Sequence, residues 1–362
     1  MAGDAERYAA ALSRISKSRF SVDCPLNIFM KMCLHLFLLF LLAFPVSFAH
    51  PQSQVAFRIE DRELIPEGIA YDPVGRTFYL GSTFRRKIIS LDSAGNARDF
   101  TAEAQDGIRG VLGLRVDARR RVLWAISSHA GLTMPISGNP RDCLGCSSVF
   151  KYDLRTGRLI KRYDLGNTPR PHFLNDLTIS PAGDVYITDT VGGSIYQISR
   201  RRDELELLVT LGERVFPNGI DLSDNGQRLF VAVAGGIMAI ELRSRRVFRI
   251  EIPGGISPVI DGLYFYRNSL IAIQPFERER KIARYFLNRR LDTITRMTVI
   301  ESDQPLMNQP TTGVLVGSSF YYIANSQLQL FRSIYNPSGT YDRDRLSGVA
   351  VLRLNLETPR TM

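Results

Sequence analysis

One short pattern recurs six times along the chain: a variable residue, a second that is usually glycine, then an aliphatic. It reads Glu67-Gly68-Ile69, Leu112-Gly113-Leu114, Asn175-Asp176-Leu177, Asn218-Gly219-Ile220, Asp261-Gly262-Leu263 and Thr312-Gly313-Val314, at steps of 45, 63, 43, 43 and 51 residues. After each start comes an apolar run, a turn rich in Gly, Pro, Asn or Asp, and a second run, as in Leu222-Ser223-Asp224-Asn225-Gly226-Gln227-Arg228-Leu229. Such periods, each holding several short strands, are the signature of propeller blades. A third strand is predicted at 87–91, 148–154, 194–198, 236–242, 281–287 and 349–356, and a fourth follows in the first five units. The sixth unit ends too soon for one. Val55-Ala56-Phe57-Arg58-Ile59 precedes the first unit and can supply it, so the sequence predicts an all-β fold, a six-bladed β-propeller closed by the N-terminal strand.

The first strand of each blade lines the central channel of such a ring, so the six pattern starts should meet around one axis. Four of them, Glu67, Asn175, Asn218 and Asp261, carry carboxylate or amide oxygens; the others are Leu112 and Thr312. Any one of the four is explained by a turn bonding its own loop, but four at one phase are not. Two carboxylates converging in a partly desolvated channel repel one another unless a cation lies between them. All-oxygen donors favour a hard divalent ion of the calcium type over zinc, which prefers His or Cys.

Lys31 followed by the apolar run Leu34 to Phe44 and the small residues Ser47 and Ala49 reads as a secretory signal peptide, too short in its apolar core to span a bilayer. The expected organisation is an upstream extension at residues 1–29, a signal at 30–49 and one propeller domain at 50–362, beginning at His50. That predicts a secreted or periplasmic protein with no stable membrane insertion after cleavage. The thiols left are Cys143 and Cys146, in a turn-rich loop with too few ligands for a structural zinc; an oxidising compartment favours a disulfide between them that is dispensable for folding. The net charge of +10 raises the question of nucleic acid. The basic clusters Arg119-Arg120-Arg121, Arg200-Arg201-Arg202, Arg245-Arg246 and Arg289-Arg290 fall at predicted hairpin turns without interleaved aromatics, which reads as solvated turns and points to a small-molecule partner instead.

The segments Ile65-Pro66-Glu67-Gly68-Ile69, Leu174-Asn175-Asp176-Leu177, Asp184-Val185-Tyr186-Ile187-Thr188-Asp189, Pro217-Asn218-Gly219-Ile220 and Asp261-Gly262-Leu263 resemble the SMP-30/gluconolactonase family, related to the calcium-dependent paraoxonase-like propellers. The resemblance spans roughly residues 60 to 335. It implies a calcium-type site of Glu67, Asn218 and Asp261, with Asn175 on the metal or on its water and substrate, and lactonase or esterase chemistry with Asp261 as base. It also implies that His129 and His172 flank the channel mouth as proton carriers. Phe173 stands where some sugar-lactonases of the family carry an arginine, and the loop from His129 to Cys146 is long.

In a hydrolase of this kind a metal polarises the carbonyl and lowers the pKa of water, while a carboxylate such as Asp261 or Asp176 takes the proton. No G-x-S-x-G elbow is present for a serine hydrolase. The alternatives are a non-enzymatic binding propeller of the yellow/royal-jelly type and a strictosidine-synthase-like enzyme, which needs no metal.

Overall fold

The computed structural model describes residues 53–129, 146–165, 172–255, 258–275, 280–302, 304–330 and 343–357. The signal segment, Cys143 and His50 lie outside them. Residues 49–362 form one compact unit of six four-stranded antiparallel sheets. From channel outwards, blade 1 is Pro66–Asp72, Thr77–Ser82, Lys87–Leu91 and Ala97–Asp99; blade 2 is Gly110–Asp117, Val122–His129, Cys146–Asp153 and Leu159–Leu165. Blade 3 is Leu174–Ile179, Val185–Asp189, Ser194–Ile198 and Leu205–Thr210; blade 4 is Ile220–Leu222, Arg228–Val233, Gly236–Glu241 and Val247–Arg249. Blade 5 is Leu263–Phe265, Ser269–Gln274, Lys281–Leu287 and Ile294–Ser302. Blade 6 runs Gly313–Val316, Ser319–Ile323, Val349–Asn355 and then Gln54–Ile59, so the N-terminal strand closes the ring as its sequence predicts. Ser53 locks that strand: its N–H donates to Glu301 Oε2 at 2.8 Å, and its hydroxyl lies 3.0 Å from that of Tyr322.

The inner strands are apolar on both faces because each blade is sandwiched between two others. Along Arg228–Val233, Phe230 and Ala232 pack against Leu263 and Tyr285 of blade 5, whereas Leu229, Val231 and Val233 pack against Tyr186 and Ile195 of blade 3. The same alternation gives one apolar cluster between every pair of neighbouring blades. Among the described residues helix is confined to four single 3-10 turns, and no helix is long and apolar enough to cross a membrane.

The second pattern position is glycine because neighbouring inner strands touch there. A Cβ on Gly68 would lie 2.0 Å from the carbonyl oxygen of Leu112, and one on Gly219 2.4 Å from that of Asp261, closer than any side chain can approach. Polar clamps join the blades at the other end of the channel. Arg121 pairs with both oxygens of Asp72 at 2.6 and 2.7 Å, joining the first hairpin turns of blades 2 and 1. Burial alone would raise the Asp72 carboxyl, but the hydrogen bonds from Arg121, Val74 N–H and Gly75 N–H outweigh it and hold it below the usual carboxylate range. Arg121→Met should therefore lower stability by about 2–3 kcal/mol at neutral pH, measured by urea melts. The deficit should shrink as acid protonates Asp72, because a lowered folded-state pKa contributes stability only above it.

Candidate metal centre in the channel

Contacts between inner strands bring the six pattern starts together. Gly219 N–H donates to Asp261 O at 2.9 Å, Ile220 N–H to Asp176 Oδ2 at 3.4 Å, and the Thr312 hydroxyl to Glu67 O, which joins blade 6 to blade 1. Asn218 Nδ2 donates to Asp261 Oδ1 at 2.9 Å. Asn175 Nδ2 donates sideways to the Thr190 hydroxyl at 3.0 Å, which in turn donates to Pro217 O at 2.6 Å. Both amide NH2 groups are thus directed to fixed acceptors, and no donor among the described residues reaches either amide oxygen.

Glu67 and Asp261 are buried, at 7% and 6% exposure. Glu67 Oε2 is sealed from solvent without a hydrogen-bond partner, and the Thr311 hydroxyl beside it falls outside hydrogen-bond geometry. Burial, then the charge of Asp261, pushes the Glu67 carboxyl well above its ordinary range. Burial likewise pushes Asp261 up to about 7, with the Asn218 amide opposing and Asp176 adding to the rise. Arg115, three residues beyond the blade 2 start, balances Asp176 and Asp221; its Nη2 lies 3.9 Å from Asp176 Oδ2. An unbonded buried carboxylate oxygen and an excess of acid over base are the observations a hard cation would resolve. The donor set fits such an ion: Glu67, Asp261 and the oxygens of Asn175 and Asn218. Among the described residues no three His, Cys, Asp or Glu groups cluster at ligating distance, consistent with a set that is half amide.

Asp176 has a different setting from Asp261. Its Oδ1 accepts from Leu177 N–H at 2.8 Å, its Oδ2 from Ile220 N–H, and Arg115 stands behind it, so it ties blade 3 to blade 4. His129 and His172 are both buried on the same side of the ring as the centre. His172 Nδ1 lies 2.5 Å from Asp189 Oδ2, and Asp189 Oδ1 is held by the N–H groups of Phe173 and Gly192. A Cβ on Gly192 would strike Asp189 Oδ2 at 2.1 Å, so the pair is packed in place. Cys146 is disulfide-bonded, opposite His129 in the sheet.

Asp189, Thr190 and Arg115 received no role from the sequence alone. The signal for the first two was available: pairing the blade 3 hairpin sets Leu174 opposite Asp189, which brings Asp189 to His172 and Thr190 to Asn175. At the far end the channel opens into a cavity of about 370 Å³ lined by Tyr71, Arg115, Asp221 and Tyr264.

No family model and no curated protein matches the chain. Solved structures do. The chain is similar to a gluconolactonase from Xanthomonas campestris, with 14% identity, 85% of this chain and 96% of that chain covered, and a TM-score of 0.55. It is also similar to regucalcin, a calcium-binding protein from Agrobacterium tumefaciens (17% identity, 83% and 93% covered, TM-score 0.54). A third likeness is to virginiamycin B lyase from Staphylococcus aureus (15% identity, 75% and 81% covered, TM-score 0.52). The likeness is one of fold. These neighbours include proteins matching the family that the sequence resembles, while the identities are too low to carry an activity across.

Proposed function

We propose that the protein is a hydrolase of lactones or esters that depends on a hard divalent cation of the calcium type, held by Glu67, Asn175, Asn218 and Asp261. The observation that carries this reading is the buried, unbonded Glu67 oxygen in the charge field of a second buried carboxylate. The fold likeness to a gluconolactonase and to a calcium-binding regucalcin supports it. Such an ion would supply Lewis acidity toward the substrate carbonyl and would acidify an attacking water. Asp261, raised toward neutrality and fixed by Asn218, takes the proton from that water. Asn175, immobilised by Thr190, orients water or carbonyl. Asp176 holds the blade 3 backbone in register. His172, its Nδ1 set by Asp189, would pass a proton toward solvent.

The residues two positions before each pattern start set the kind of substrate. They are Ile65, Gly110, Phe173, Phe216, Val259 and Pro310, with no polar side chain among them. Phe216 and Val259 are each 49% exposed, and Ile65 and Phe216 are held at φ of 41° and 48°, where such side chains are strained. Exposed apolar side chains two residues before Asn218 and Asp261 favour an aryl ester or alkyl lactone over a polyhydroxy sugar lactone. A panel of γ-alkyl lactones, aryl esters and glucono-1,5-lactone, with and without chelator, tests both points. Turnover should require the cation and rise with alkyl length; a metal-free protein that hydrolyses none of them would leave the binding-propeller reading in its place.

Asn175→Ala separates chemistry from binding of the ion. A neutral amide contributes less to holding a cation than a carboxylate does, so the variant should keep calcium within about tenfold of wild-type affinity. Its kcat should nevertheless fall by about a hundredfold.

A further inference from the structure

The turns between the third and fourth strands of blades 3, 4 and 5 all lie at the end of the ring opposite the channel centre, because each third strand runs away from it. They carry Arg200 and Arg201, Arg243 and Arg245, and Arg289 and Arg290, every one exposed. Among the described residues none of these six guanidinium groups has an ion pair or a hydrogen bond. Of the nearby acids, Asp203 is paired with Lys151 and Lys161 and Glu241 with Arg228 and Arg246, while Asp292 lies in the field of Arg290 and Asp184 accepts from Arg200 N–H at 2.9 Å. Glu204 lies 3.8 Å from Arg202, leaving Asp224 as the exposed acid on the neighbouring turn of blade 4.

The turn itself does not require arginine. Blade 1 builds the equivalent bend at residues 92–96 with Asp92, whose carboxylate accepts from Ala94 N–H, Asn96 N–H and Asn96 Nδ2. Six guanidinium groups on three consecutive blades outnumber the unpaired acids beside them, Asp184, Asp224 and Asp292, and repel one another. We propose that this sector docks on an anionic phospholipid surface, peripherally and reversibly, leaving the channel mouth facing the solvent. Guanidinium groups suit phosphate through paired N–H donors. None of the exposed large apolar side chains lies on these three turns, so nothing there inserts into acyl chains or stacks on bases. Spread over separate tips instead of lining a groove, the charges match a plane better than a nucleic-acid strand.

The test is flotation of the full chain with vesicles of phosphatidylcholine, alone or with 30% phosphatidylglycerol, at 50 and 500 mM salt. Binding is expected with the anionic vesicles at 50 mM salt only. Serine at Arg200, Arg201, Arg243, Arg245, Arg289 and Arg290 should weaken it by at least about a hundredfold, since each arginine near an anionic membrane is worth roughly fivefold. A charge-matched variant with serine at Arg58, Arg62, Arg214, Arg249, Arg280 and Arg345, exposed toward the other end of the ring, should retain most of the binding. Should the six-turn variant fail to fold, hydrogen exchange of the wild type on vesicles reads the same contact, with protection expected at residues 199–204, 242–246 and 288–293. No binding at 50 mM salt, equal losses in both variants, protection elsewhere, or duplex DNA displacing vesicles from the same turns would each overturn the proposal.

Discussion

Asp261→Ala should lower kcat/KM by at least about a thousandfold, because it removes the proton acceptor and one of two anionic ligands together. Cation binding should fall in parallel, and the thermal stabilisation by calcium seen in the wild type should largely vanish. The cation-free variant should itself melt higher than the cation-free wild type: Glu67 no longer shares its buried site with a second carboxylate, whose charge raises it in the native ring. Asp261→Asn separates charge from shape, since an amide oxygen can still accept from Asn218 Nδ2 where Asp261 Oδ1 does now. It should reproduce the loss of activity and of calcium binding. Scanning calorimetry with and without chelator, beside initial rates on an aryl ester, reads all of these effects. Wild-type activity in Asp261→Asn would remove Asp261 from the mechanism.

The second large effect is on how stability depends on pH. Glu67 and Asp261 both have carboxyls raised by burial, Asp261 to about 7. A group whose folded-state pKa is raised contributes stability that is complete below its unfolded pKa, near 4, and is lost as pH rises through the folded value. Cation-free protein should therefore melt progressively lower between pH 5 and pH 8. Calcium binds the ionised pair, so the melting temperature of loaded protein should fall much less over the same range. The gap between the two should widen with pH. Binding near pH 6 should also release protons from the raised pair, visible as a calorimetric heat that changes with the ionisation enthalpy of the buffer. A gap independent of pH would mean that the ion, if bound, is held by groups already ionised throughout.

The architecture was legible because a propeller writes its period into the chain. The phase of Glu67, Asn175, Asn218 and Asp261 predicts one ring, and the contacts of Gly219 with Asp261 O and of Thr312 with Glu67 O join neighbouring inner strands as such a ring requires. Val55–Ile59 was readable as the closing strand because the sixth unit lacked one. What was hidden depends on pairing between strands of different phase. Asp189 reaches His172 only after the blade 3 hairpin folds, and Thr190 reaches both Asn175 and Pro217 only across two blades. Asp176 looked equivalent to Asp261 as a base, yet backbone donors on two blades take its oxygens. That distinction follows from its place at the pattern position where other blades need glycine. Arg115 lay one turn of the pleat beyond any position the repeat singles out, although it balances part of the buried acid.

Titrating calcium into chelator-stripped wild-type protein by isothermal calorimetry tests the central claim most directly. One calcium-type site per chain is predicted, with its signal retained in Asn175→Ala and lost in Asp261→Asn. A featureless titration of the wild type, together with a melting temperature unchanged by calcium, would contradict the account at its base.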